Sequence, residues 1–204
     1  MEDLRGFFCY KLWAICFRIL TVLITFYCKI ELSIKGVKYG KKIKFLGFSR
    51  ISRAHKSQIT IGNNCKFRSG YFFNKMGINK KCYLATLKEG AEIVIGDNVG
   101  MSGAVVTSAG KVSIGNNVLL GAESFITDYD WHGTKFDMRS RPSAPKEVVI
   151  EENVWIGYNA IVLKGVRIGK NSVIGANSVV TKDVPENVIA AGNPCRIVKN
   201  LLAL

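Results

Sequence analysis

From residue 150 the chain repeats every six residues, a period that fits neither the 3.6 of an α-helix nor the 2 of an isolated strand. The hexads read IEENVW, IGYNAI, VLKGVR, IGKNSV, IGANSV and VTKDVP. Their first position is always a β-branched aliphatic: Ile150, Ile156, Val162, Ile168, Ile174 and Val180. Their fourth is Asn153, Asn159, Gly165, Asn171, Asn177 or Asp183, the residue types that best tolerate left-handed or turn backbone. The fifth, from Val154 to Val184, is small or β-branched throughout. Each hexad therefore predicts a short strand and a turn with one branched side chain turned inward. A single unit cannot bury that side chain, but three of them close a triangular coil, and stacked coils share one interior. Strands of successive coils then pair in parallel about 4.8 Å apart, so each backbone is satisfied by the coil above and below. IGNNCK (61–66), IGDNVG (95–100), IGNNVL (114–119) and LGAESF (120–125) carry the pattern back toward the N-terminus, less regularly over 66–94. The sequence signature is that of a parallel β-helix, an all-β fold.

Composition narrows the function classes. A chain of 204 residues holds one domain of ordinary size, not two catalytic ones. Twenty-nine Lys and Arg against 15 Asp and Glu give a formal charge of +14, which selects anionic partners. Most of that excess lies in the first 60 residues, attached to an apolar segment rather than to an aromatic-studded recognition surface. With no nucleic-acid motif, a nucleic-acid partner is not expected. The six cysteines show no CxxC pair and there are two histidines, so no metal site is expected, and the cysteines read as small buried hydrophobes in a reducing cytosol.

Residues 7–28, FFCYKLWAICFRILTVLITFYC, are apolar apart from Lys11, Arg18, Thr21 and Thr25. The start MEDLR and the absence of a small-residue cleavage site argue against a cleaved signal. The longest uncharged run, Ile19 to Cys28, falls short of the about 20 residues a span needs. Lys11, Arg18 and Thr25 recur every seven residues and share one side of a helix. Such a helix, followed by Lys35, Lys38, Lys41, Lys42 and Lys44, either lies in the surface of an anionic membrane or packs its apolar faces on the protein or on sister subunits.

The hexads, the stretch ITDYDWH (126–132), the motif ENVWIG (152–157) and the ending VVTKDVPENVIAAGNPCRIVK (179–199) together resemble the left-handed β-helix, hexapeptide-repeat acyltransferases, in particular the sugar and polysaccharide O-acetyltransferases. The resemblance covers about residues 58–200. It implies a left-handed coil, although parallel crossovers are otherwise right-handed. It also implies acetyl-CoA as co-substrate, a homotrimer, and His132, at the root of the excursion HGTKFDMRSRPSAPKEV, as the catalytic histidine. A neutral imidazole near its ordinary pKa of about 6.5 can take the proton of an alcohol as it attacks a thioester. Its other ring nitrogen needs a partner: Asp128, Asp130 or a backbone carbonyl. Asp130 is the catalytic candidate; Asp128, Ser102 and Trp155 are the acceptor-site candidates, with an interface role equally open to Trp155.

By the same resemblance the N–H of Tyr158, with Gly157 keeping the chain uncrowded, donates to the oxyanion. The backbone at Ala176 meets the pantetheine arm, Thr181 and Lys182 the nucleotide end, and Arg196 and Lys199 the phosphates. Cys195 falls near the adenine end, so direct transfer without an acyl-cysteine is expected. The γ-class carbonic anhydrases share the architecture but need three histidines, which this chain lacks.

The expected organisation is a helical segment over 1–35, a β-helix over 36–200 with an excursion loop at 133–148, and a tail at 201–204. The expected activity is acetyl-CoA-dependent O-acetylation of a sugar hydroxyl on a cell-surface polysaccharide or lipid-linked glycan precursor, in the cytoplasm or at the inner membrane face. The alternatives are an N-acetyltransferase for an amino sugar or antibiotic, and a non-catalytic scaffold on the membrane.

Overall fold

The inward aliphatics decide the architecture. In the computed structural model, which describes residues 3–203, all six first-position side chains from Ile150 to Val180 are buried to 1% exposure or less. The fifth-position residues Val154, Ala160, Val166, Ser172, Ser178 and Val184 are buried as well, so each hexad sends two side chains inward, not one. Strands pair in parallel with the strand one full coil later: Ile150 with Ile168, Ile156 with Ile174, Val162 with Val180.

Three sheets result. The first runs from Lys38–Tyr39 through Lys111–Ile114 to Arg167–Ile168. The second runs from Lys44–Leu46 through Lys66–Arg68, Gly100–Ser102, Leu119–Leu120 and Trp155–Ile156 to Val173–Ile174 and Val188–Ala191. The third runs from Arg50–Ser52 through Tyr83–Thr86, Val105–Ser108 and Phe125–Thr127 to Val179–Val180. One strand departs from the parallel order: Arg196–Asn200 folds back antiparallel on Val188–Ala191 and closes the end of the second sheet.

Turn chemistry follows the fourth position. Asn153, Asn159, Gly165, Asn171 and Asn177 all have positive φ, where asparagine and glycine are least strained. Asp183 does not share that conformation. Its carboxylate instead accepts the Arg167 N–H at 2.8 Å, just before Pro185 ends the regular coil. At the first corner the asparagines stack into a continuous amide ladder, Asn64 to Asn98, Asn117, Asn153, Asn171 and Asn187, each Nδ2 donating to the next Oδ1 at 2.8–3.1 Å.

The N-terminal helix α1 spans Leu4–Ile34. Asp3 caps it by accepting the Gly6 N–H at 2.8 Å, and Gly36 at φ +65° ends it, with Gly36 N–H donating to Ser33 and Val37 N–H to Leu32. Ile24, Cys28 and Leu32, one helical stripe, enter the core. Of the polar side chains of α1, Arg18, Thr21 and Thr25 turn toward the body of the protein. Thr25 Oγ1 accepts the Phe45 N–H at 2.9 Å, and Arg18 and Thr21 line the gap between α1 and the second sheet. The unpaired backbone of the strand Lys44–Leu46 attracts the hydroxyl, so the helix leaves its apolar residues Phe7, Phe8, Leu12, Val22, Leu23 and Phe26 exposed. Cys9 and Cys16, expected buried, are exposed on that helix.

Candidate active site

Each coil has three corners, and the predicted residues divide among them. The excursion leaves the third sheet after Phe125–Thr127 and re-enters the first at Val148–Ile150. A hydrogen bond from Lys146 N–H to the Asp128 carbonyl, 2.9 Å, pinches its base. Tyr129 is buried at its root, with Trp131 edge-on and Lys88 over its ring. His132 stands at the third corner, exposed, with Nδ1 3.3 Å from the Arg139 carbonyl oxygen. A carbonyl only accepts, so this contact requires Nδ1–H as donor; among the described residues Nε2 has no hydrogen-bond partner.

Neither aspartate serves the imidazole. Asp130 makes an ion pair with Lys164 at 2.5 Å and accepts from Ser143 Oγ at 3.1 Å. The cation one coil on, at the same corner, outcompetes a neutral ring for the carboxylate. Asp128 is fully buried and accepts three hydrogen bonds, from Ser108 Oγ (2.8 Å), Ala109 N–H (2.7 Å) and Gly110 N–H (2.8 Å). It braces the corner of the preceding coil and cannot meet an acceptor, which corrects its assignment as a substrate ligand. The ring's hydrogen-bond partner is the backbone carbonyl of Arg139.

Gly157, Tyr158 and Ala176 lie at the second corner, one coil apart. A Cβ on Gly157 would sit 2.6 Å from the Ile174 oxygen and 2.7 Å from the Ala176 nitrogen, so only glycine lets these coils approach. Gly157 N–H is spent on Ile174, whereas among the described residues the N–H groups of Tyr158 and Ala176 take no partner. At the first corner four of the equivalent donors are capped, Lys41 by Asn63 Oδ1, Asn63 by Asp97 Oδ1, Asp97 by Asn116 Oδ1 and Lys170 by Glu151 Oε2, whereas among the described residues those of Asn116 and Glu152 are not. Two free donors on one exposed edge can receive carbonyl oxygens from outside. Trp155 flanks that edge, 53% exposed beside its cross-strand partner Leu119, and Ser102 sits at the same end of the second sheet.

At the far end of the column Lys182 and Arg196 line one cavity of about 400 Å³ together with Cys195. Lys199 lies further along the exposed strand Arg196–Asn200 and Thr181 beside Lys182, both open to solvent and outside that cavity's lining. Burial pushes the Cys195 thiol pKa up, which keeps it protonated and a poor nucleophile.

Residues 147–182 match the family described as bacterial transferase hexapeptide (six repeats), and 111–134 the hexapeptide repeat of succinyl-transferase. The chain carries the hexapeptide repeat of the bacterial transferases. This hexapeptide-repeat chain is 50% identical over 91 residues to a galactoside O-acetyltransferase of Lactococcus lactis, covering 44% of each chain. It is 40% identical over 118 residues to the putative lipopolysaccharide biosynthesis O-acetyl transferase WbbJ of Escherichia coli, covering 52% of this chain and 60% of that one. The hexapeptide-repeat chain spans about half the length of the curated relatives it matches. Among solved structures, a mutant of the N-acyltransferase AntD of Bacillus cereus, in complex with dTDP-4-amino-4,6-dideoxyglucose and coenzyme A, superposes with a TM-score of 0.62 at 20% identity, over 84% of this chain and 88% of that one. The shared fold is the left-handed parallel β-helix.

Proposed function

We propose that this protein is an acetyl-CoA-dependent O-acetyltransferase, working as a homotrimer on a sugar hydroxyl of a cell-surface polysaccharide or lipid-linked glycan precursor. The observation that carries the reading is the pair of unpartnered N–H donors at Tyr158 and Ala176 on the second-corner edge, together with the cations Lys182 and Arg196 that share a cavity at the far end of the column. The pantetheine arm of coenzyme A offers amide carbonyls and its nucleotide end offers phosphates, which are the groups such an edge can hold. The bound co-substrate supplies an activated acetyl thioester.

The chain's own residues then divide the work. His132 Nε2 accepts the acceptor's hydroxyl proton as the oxygen attacks, and returns it to the departing thiolate. The Tyr158 N–H receives the charge that develops on the attacked carbonyl oxygen. Arg139 holds the ring in the tautomer this needs.

Within one chain these groups cannot meet. His132 is at the third corner and Tyr158 at the second, opposite ends of the third sheet, on the order of 15–20 Å apart at about 3.3 Å per residue. A neighbouring copy would bring its second corner to this chain's excursion. Two surfaces support that contact. The third sheet's outer face is an unbroken apolar column, Tyr83, Val105, Phe125, Ile161 and Val179 in cross-strand register. The excursion itself exposes Phe136 and Trp131. The exposed apolar faces of α1 and the basic run behind it support a position at the inner face of the membrane.

The test is thiol release from acetyl-CoA with a panel of glycan acceptors, using two variants. His132→Ala removes the base and Tyr158→Pro removes the N–H, so each alone should be inactive. Co-assembled one to one, they should regain about a quarter of wild-type activity, the fraction of interfaces in which one copy supplies His132 and the next supplies Tyr158. Turnover by His132→Ala equal to wild type refutes the base, and a silent mixture refutes the shared site. Co-fractionation with lipid should fall when residues 1–30 are deleted; unchanged fractionation refutes the membrane position.

A further inference from the structure

Between α1 and the second sheet lies a groove of about 800 Å³ that the acetyl-transfer scheme does not use. Its walls are apolar: Phe17, Val22 and Phe26 from the helix, Ile43 and Leu46 from the sheet. Its rim carries five cations, Arg18 and Lys29 from the helix and Lys44, Lys66 and Arg68 from the sheet. Among the described residues none of the five is in an ion pair. The sequence explains why: between Glu31 and Glu89 there is no acidic residue at all, while 14 Lys and Arg are present. Five unneutralised cations beside exposed apolar side chains fit a ligand that is anionic at one end and apolar at the other.

The groove also points somewhere. Lys44, Lys66 and Arg68 line a second hollow of about 580 Å³, which continues across the outer face of the same sheet to Gly100 and Leu119. In cross-strand register the face reads Lys44, Lys66, Gly100, Leu119, Trp155. Gly100 has no side chain to block the path, and a Cβ there would meet Leu119 at 3.0 Å. From the strand of Lys66 to that of Trp155 is three coil steps, about 14 Å at 4.8 Å each. That length accommodates a diphosphate linker and a short glycan.

We propose that this groove holds the head of a lipid-linked glycan: the isoprenoid tail against Phe17, Val22 and Phe26, the diphosphate on Lys44, Lys66 and Arg68, and the sugar along the second sheet toward Trp155. It rests on the acetyltransferase reading for the sugar's destination, but the head-group site is defined by its own residues. The continuity of the path from the groove across the second sheet favours one seated amphiphile over a general bilayer contact, which would need no such path.

The experiment measures binding by native mass spectrometry of the full chain in detergent, with C55 polyprenyl diphosphate, polyprenol, inorganic pyrophosphate and phosphatidylglycerol as separate probes. Polyprenyl diphosphate should bind at least tenfold more tightly than the other three. The triple substitution Lys44→Ser, Lys66→Ser, Arg68→Ser should abolish that preference while oligomeric state and thermal midpoint stay those of the wild type. Phe26→Ser, at an exposed position, should weaken polyprenyl diphosphate and leave pyrophosphate unchanged. Equal binding of phosphatidylglycerol, undiminished binding by the triple variant, or no binding of any lipid overturns the proposal. If polyprenyl diphosphate binds as expected but no acceptor is ever acetylated, the transferase reading fails and the head-group site stands.

Discussion

Removing the Asp128 carboxylate should damage the fold before it touches any acceptor. Asp128→Ala strips the acceptor from two backbone N–H groups and one hydroxyl in a place water does not reach. An unsatisfied buried donor costs about 1–3 kcal/mol, so three of them, partly relieved by local relaxation, amount to about 3–5 kcal/mol. For a chain of this size that lowers the melting midpoint by about 6–20 °C. Asp128→Asn keeps one carbonyl oxygen but points an amide N–H at a donor, and should fall between the two. The assay is guanidinium denaturation at one fixed protein concentration, since assembly would otherwise shift the midpoint. Amide exchange at Ala109 and Gly110 reads the site itself, because stacked coils can open locally. A wild-type midpoint and unchanged exchange in Asp128→Ala, with a raised KM for the acceptor, would refute this reasoning and return Asp128 to the acceptor site.

Gly157→Ala forces a Cβ onto backbone atoms of the next coil and should destabilise by about 1–3 kcal/mol in the same denaturation assay, whereas an unchanged midpoint would mean the coils have slack there. Glu151 accepts the Lys170 N–H and pairs with Arg167, which holds its pKa below the ordinary glutamate value. A depressed carboxylate stabilises the fold above the unfolded pKa of about 4.3 and loses that contribution as pH falls through its folded value. Glu151→Gln should therefore be less stable than wild type at pH 7 and converge with it in acid, and a gap that widens in acid would contradict the assignment. Alkylation at pH 7.5 followed by peptide mapping should mark the exposed Cys9 and Cys16 in the native protein and reach Cys28, Cys65, Cys82 and Cys195 only after denaturation, since burial raises all four of those thiols; native labelling of Cys195 would contradict its burial.

The column was readable in the sequence because its cause is local. A six-residue period with asparagine or glycine at the turn leaves few ways to satisfy the backbone, and the positions from Ile150 to Val180 took their places accordingly. Where a side chain's role depends on its neighbour one coil away, the sequence was mute. Asp128 alternates with Asp130 and His132 as if on one outward face, yet the small residues Ser108-Ala109-Gly110 one coil earlier open a buried slot for it. Lys164, one coil later, claims Asp130. The sevenfold polar stripe of α1 was visible, but not that the strand Lys44–Leu46 would draw it inward. The basic groove had a signal that was available and unread, the acid-free stretch between Glu31 and Glu89.

The asparagine ladder has a consequence for how such a molecule can change. Asn117 and Asn153 are 36 residues apart yet stack as adjacent rungs, so the whole excursion is extruded at another corner without breaking the series. A body zipped mainly along one seam leaves its other edges freer to grow. New lengths of chain can be spliced there, and old ones exchanged, so the choice of what is recognised can drift while the way the molecule folds stays the same.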